Sequence, residues 1–177
     1  MEIEQKPAKR PIGVLVLAVW YFANGCGFLV VNIGLIADHE RLSTNLSTNL
    51  VLLLLVGAFL GVLALGASVG LFSVKAWGWW LAAFYNLYGI FQDLSALITA
   101  WILTDSSTPN ELYTRFVIVR LGQILIHALV LIYLYRARVL MFFGFRSFSK
   151  RRTFLVLFAV NLILYVVASA LRVALEV

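Results

Sequence analysis

Charge is what this sequence has least of. Asp, Glu, Lys and Arg make up 22 of its 177 residues, or 12%, against roughly 25% in a soluble domain. So little charge excludes a disordered tail, which depends on charge to stay solvated. A single cysteine excludes a disulfide-stapled secreted fold, and three prolines with 12 glycines exclude a collagen-like or low-complexity chain. There is no HExxH, no nucleotide-binding glycine loop and no clustered His/Cys/Asp set at metal spacing. The sequence therefore offers enzyme chemistry little support, and it points to no cofactor and no metal.

What is present is apolar. Hydrophobic residues make up 63% of the chain and the mean hydropathy is +0.97, more apolar side chain than a core of this size can hide. A helix of about 20 apolar residues crosses the hydrocarbon core with every backbone group satisfied internally. Five stretches meet that demand: 12–37, 50–74, 77–103, 116–135 and 154–175. The fourth is interrupted by Arg120, Gln123 and His127. Lys6, Lys9 and Arg10 precede the first stretch, whose length of about 25 residues exceeds the 7–15 of a signal-peptide core, so it reads as a retained helix. The expected fold is all-α: a polytopic transmembrane helical bundle, residues 1–177 forming one domain integral to a membrane. Cys26, mid-span, reads as a small hydrophobe.

Loop charges set an orientation. Summed over alternate sides, one side carries ten Lys and Arg residues and the other two, with Arg172 as a third; the positive-inside rule then puts the N-terminus in the cytoplasm. Tryptophans delimit the third span. Trp77, Trp79 and Trp80 follow Lys75, and Trp101 lies 21 residues beyond Trp80, about 32 Å at 1.5 Å per residue, so all four read as interfacial anchors. The tandem Ser43-Thr44-Asn45-Leu46, Ser47-Thr48-Asn49-Leu50 reads as a polar turn ending in an N-cap; Asn45-Leu46-Ser47 matches an N-glycosylation acceptor, a triplet common by chance. The segment 136–153 mixes Arg136, Arg138, Arg146, Lys150, Arg151 and Arg152 with Val139, Leu140, Met141 and four phenylalanines. It reads as a cytoplasmic interfacial linker, its cations at lipid headgroups and its aromatics among the tails. Because topology accounts for these cations, no nucleic-acid partner is expected.

Arg10-Pro11-Ile12-Gly13-Val14 opens the first span, and Gly70-Leu71-Phe72-Ser73-Val74-Lys75-Ala76-Trp77-Gly78-Trp79-Trp80-Leu81-Ala82 forms a tight second hairpin. Tyr133-Leu134-Tyr135-Arg136-Ala137-Arg138-Val139, followed by Phe143-Gly144, closes the fourth span. Over residues 10–145 this pattern resembles a group of small prokaryotic four-helix integral membrane proteins with no assigned activity. The resemblance implies a helical bundle in a bacterial inner membrane and carries no site. The basic linker and the fifth span depart from it.

Helix association in lipid relies on small residues and buried polar contacts. At 100° per residue Gly57, Gly61, Ala64 and Ser68 share one face of the second helix, with Gly66 and Gly70 on the opposite face. Asn24, Gly27, Val31 and Gly34 align on the first helix as an expected partner face.

Ionisable groups within a span cost about 2.5–3.5 kcal/mol each on insertion scales, so they face protein or water. The third helix carries Asn86 and Asp93 on one face near Gly89; the fourth carries Arg120, Gln123 and His127 on one face. If Leu103 and Phe116 lie level in an antiparallel hairpin, residues at equal depth have numbers totalling about 219 at equal rise per residue. That sets Asp93 opposite His127, with Arg120 one to two turns nearer the outside. Two readings stay open: a clasp in which Asp93 and His127 satisfy each other, or a protonatable pair at an ion site.

Three function classes follow. A scaffold, assembly or regulatory subunit, partnered by lipid, by other membrane subunits or by further copies of itself, requires no site beyond helix packing. A small transporter or channel would use Asp93, His127 and Arg120. A haem or pigment protein is the third class; a bis-His haem would need His39 and His127 at a common site, although the topology sets them at different depths. We expect the purified protein to show no Soret band; a Soret band lost on mutating His127 would refute the topology.

Overall fold

The computed structural model describes residues 10–42, 48–103, 111–145 and 149–176, with side chains except at 38–42, 48–50, 52, 103 and 168–176. Among these residues the only secondary structure is six helices: α1 Ile12–Leu42, α2 Thr48–Phe72, α3 Ala76–Leu103, α4 Glu111–Leu134, α5 Ala137–Phe142 and α6 Lys150–Glu176. The 43–47 part of the polar tandem and Arg146 lie outside them, as do the side chains of His39 and Arg172.

Among the described residues three helices are both long and apolar enough to cross a membrane: Ile12–Ala37, Leu53–Phe72 and Glu111–Leu134. This differs from the five expected. α3 has the length, 28 residues, but is diluted by tryptophans, tyrosines, Asn86, Gln92 and Asp93. α6 has 27 residues but opens on Lys150-Arg151-Arg152, and its apolar C-terminal side chains lie outside the described set. The boundaries also shift: α4 starts five residues before the expected Phe116, and a short α5 appears within the basic linker.

α3 is the hub, packing against α2, α4 and α6 and touching α1 through Tyr21, whose hydroxyl lies 3.5 Å from the Ala82 carbonyl. The inner face of α1 is Val14, Ala18, Tyr21, Gly25, Phe28 and Asn32, repeating at alternating steps of four and three, the spacing that keeps one seam against a neighbour. Gly25 lies against Gly61 and Leu65 of α2, and Ser68 donates to the Ala18 carbonyl at 2.8 Å. Gly57 and Gly61 face α1; Gly66 and Gly70 face α3. At Gly70 the helices approach backbone to backbone, because a side-chain carbon there would collide with the main chain of Gly78. The expected α1 face is turned elsewhere: Gly27 and Gly34 have open space where a side chain would go, since the residues one step round the helix took the contact with α2.

Trp79 also departs from expectation. It is fully buried, donates its indole N–H to the Leu134 carbonyl at 2.9 Å and is ringed by Trp80, Tyr135 and Phe145. Trp77 and Trp101 are exposed and Trp80 is half-buried. In the linker Val139, Leu140 and Phe143 are buried against the bundle, so its apolar side covers protein, while Arg136, Arg138, Lys150, Arg151 and Arg152 are exposed. α6 lays Thr153, Leu157 and Asn161 inward and is tied to α3 by the Tyr165–Ser95 hydroxyl contact and by Phe91 against Phe158.

Two helix ends use the same turn with different residues. After α5, Phe145 N–H bonds Leu140 C=O and Gly144 N–H bonds Met141 C=O, with Gly144 at φ 82°. After α2, Lys75 N–H bonds Gly70 C=O and Val74 N–H bonds Leu71 C=O, with Val74 at φ 55°. Both are Schellman caps, whose left-handed residue is ordinarily glycine; a β-branched residue there is strained. Arg10 reinforces the second cap by donating to the Leu71 carbonyl at 2.8 Å. Val74→Gly should stabilise the protein by about 1 kcal/mol, after allowing for glycine's greater unfolded-state entropy, read as a raised denaturation midpoint in detergent. A lowered midpoint would contradict the capping geometry.

Candidate functional site

The polar residues of α3 and α4 meet in two pairs. Arg120 Nη1 donates to Asp93 Oδ1 at 2.9 Å and to Gln123 Oε1 at 3.1 Å, with the guanidinium over the Phe116 ring at 5.1 Å. Asp93 is 5% exposed, whereas about a third of the Arg120 side chain is accessible. His127 Nδ1 lies 3.0 Å from Asn86 Oδ1. The expected Asp93–His127 pair is thus replaced by Asp93–Arg120 and Asn86–His127.

The register explains the change. Asp93 with Arg120, Asn86 with His127 and Trp79 with Leu134 all have numbers totalling 213. The ends Leu103 and Glu111 total 214, so the hairpin is level where α4 actually begins. Starting α4 five residues early lowers the total from about 219 to 213, so the partner of each α3 residue moves by about six residues, between one and two helical turns.

Asn86 fixes the protonation pattern around it. Its Nδ2 donates to the Ala82 carbonyl at 2.7 Å and to the Tyr21 hydroxyl. A carbonyl only accepts, so the amide orientation is set and Oδ1 must accept from His127 Nδ1–H. In the neutral imidazole the lone pair is then on Nε2. That atom lies over Gly89, where a side-chain carbon would fall 2.6 Å away. Glycine at 89 gives the ring its place.

Around these pairs a cleft of about 330 Å³ lies between α1, α3 and α4, lined also by Asn24, Phe28, Tyr85 and Gln92. α1 and α4 touch at the basic end, where Gly13 meets the Tyr133 ring, but they share no packed seam. The cleft opens between them, beside the exposed Trp20 and Ile126. Sequence reasoning had grouped Asn86, Asp93, Arg120, Gln123 and His127 but missed Tyr21; the four-three spacing of the inner face of α1 was the available signal. No group of three or more His, Cys, Asp or Glu side chains able to hold a metal occurs among the described residues.

Comparison of the chain with protein-family models, with curated proteins and with solved structures finds no match. The class the structure itself defines is, over the described residues, all-α with three helices long and apolar enough to span a membrane.

Double-mutant cycles test the pairing. Asp93→Asn with Arg120→Gln should show a coupling of about 1 kcal/mol or more, and Asp93→Asn with His127→Gln near zero, from unfolding of the detergent-solubilised protein. The reverse order would restore the Asp93–His127 clasp.

Proposed function

We propose that this chain is a non-enzymatic integral membrane subunit that acts by intramembrane helix packing, as a scaffold, assembly or regulatory component. The observation that carries this reading is the outward row on α1. Asn24, Gly27, Val31 and Gly34 share a helix face, Gly27 and Gly34 have open space beside them, and Ala23, Asn24, Gly27, Phe28 and Val31 line a shallow surface groove. Small residues at such spacing let a second backbone approach closely, which drives helix association where lipid supplies no hydrophobic force. The partner is a transmembrane helix, of another subunit or of a second copy.

The same reading has the chain crossing the membrane five times with its N-terminus in the cytoplasm. The lengths of α3 and α6 favour it, as does the gathering of Arg10, Lys75, Arg136, Arg138 and Lys150–Arg152 at one end of the bundle, where the Arg10–Leu71, Trp79–Leu134 and Tyr135–Phe154 contacts lie. These cations would lie among anionic headgroups, and the resemblance to small prokaryotic bundles points to a bacterial inner membrane. A second reading, a small channel or transporter completed by further copies, is favoured by one observation: Asp93, Arg120 and His127 share a single cleft within the bundle.

After gentle extraction, native mass analysis should show a stoichiometric foreign membrane partner or a second copy. Gly27→Leu and Gly34→Leu should abolish that association while leaving the unfolding midpoint unchanged. A monomer under the gentlest conditions would refute the subunit reading, and a symmetric ring indifferent to both substitutions would favour the channel.

A further inference from the structure

We infer that the cleft between α1, α3 and α4 binds the planar, uncharged head of a lipid-borne quinol, held between Arg120 and Gln123 at one side and His127 at the other. This does not rest on the helix-packing reading, although Asn24 and Phe28 border both the cleft and the outward groove of α1.

The first argument is access. The cleft opens sideways between helices that share no packed seam, beside the exposed Trp20 and Ile126, so a ligand enters from the bilayer with its tail left outside. Depth is the second. Arg120 and His127 lie in the interior of an apolar span, Glu111–Leu134, which a phospholipid headgroup held at the interface does not reach.

Charge is the third. Asp93 and Arg120 cancel at 2.9 Å, so the cleft presents a neutralised pair, and an added carboxylate or phosphate would meet Asp93 as well as Arg120. A neutral head is favoured. Hydrogen bonding is the fourth. Arg120 Nη1 makes the bonds to both Asp93 and Gln123, leaving Nη2 and Nε to donate to the oxygen of one ring hydroxyl. His127 Nδ1 is committed to Asn86, leaving the Nε2 lone pair to accept from a ring hydroxyl. His127 is seven residues from Arg120, about 10 Å along the helix, so the two side chains line different parts of the one cleft and can meet opposed oxygens of a ring. Aromatic walls, Tyr85 and Phe28, match a flat ring. A sterol, with one hydroxyl, uses one side only.

The test uses the full chain in lipid nanodiscs titrated with decyl-ubiquinol kept reduced, read by quenching of tryptophan fluorescence; decyl-ubiquinone, whose second carbonyl would face the Nε2 lone pair of His127, should bind more weakly. Quenching should saturate and should fall sharply in Trp20→Phe, whose indole borders the cleft. Ile126→Trp obstructs the mouth without touching the polar pairs, and it should weaken binding by about tenfold or more; His127→Leu should weaken it by about tenfold, as expected for one lost hydrogen bond. Oleate at equal membrane concentration should compete poorly. Unsaturable quenching, unchanged affinity in a folded Ile126→Trp, or equal competition by oleate would each overturn the proposal. Association measured by native mass is a separate readout, so failure here leaves the packing reading to its own test.

Discussion

A carboxamide buried among helices must find its partners in protein, and Asn86 has one way to do so. Its amide nitrogen is pinned by the Ala82 carbonyl of its own helix and donates as well to Tyr21 of α1. Its oxygen is then left to His127 of α4. Three helices meet at one side chain, and the directions of its hydrogen bonds are set by the single acceptor that cannot donate. An unpaired amide in hydrocarbon costs several kcal/mol, so this contact restricts rotation and sliding of α3 against both neighbours. The seam continues in both directions, through Trp79 to Leu134 and through Asp93 to Arg120.

With α3 held in this way, the rest of the fold is close approach. Gly70 and Gly78 let α2 and α3 touch at the backbone, Gly25 and Gly61 do the same for α1 and α2, and Gly89 accommodates the imidazole. The outer surfaces stay apolar: α4 buries Leu131 and Leu134, while Ile118, Leu121, Leu125, Leu129 and Ile132 are exposed. Such a surface suits lipid or another helix and is out of place in water. The cleft is where this pattern fails, because α1 and α4 leave polar groups between them without closing over them. It is where the polar side chains of α3 and α4 line a common opening.

Much of the fold was legible in the sequence, and the reasons for the rest are physical. Apolar length marks helices well, but α3 and α6 show its limit. A helix carrying Asn86, Gln92 and Asp93 packs among neighbours and therefore resembles a membrane helix less than α1 or α4 does. The polar set on α3 and α4 stood out because ionisable groups are costly there. Its pairing did not, because pairing depends on where α4 begins, and Glu111 to Arg115 read as loop while in fact forming the first helical turn. Periodicity showed which residues of α1 share a face but not which way that face points, so Gly27 and Gly34 were set inward and Gly25 was overlooked. Trp77 and Trp79, two residues apart, are about 200° apart around the helix and cannot both face lipid. Trp79 took the core.

The central claim is the α3–α4 register, and cysteine crosslinking tests it most directly. In a Cys26→Ala background, Ala96→Cys with Val117→Cys should form a disulfide efficiently, since these positions continue the face and the register of Asp93 and Arg120. Ala96→Cys with Gln123→Cys should not. Efficient crosslinking of the second pair and failure of the first would set Asp93 opposite His127 and contradict the account.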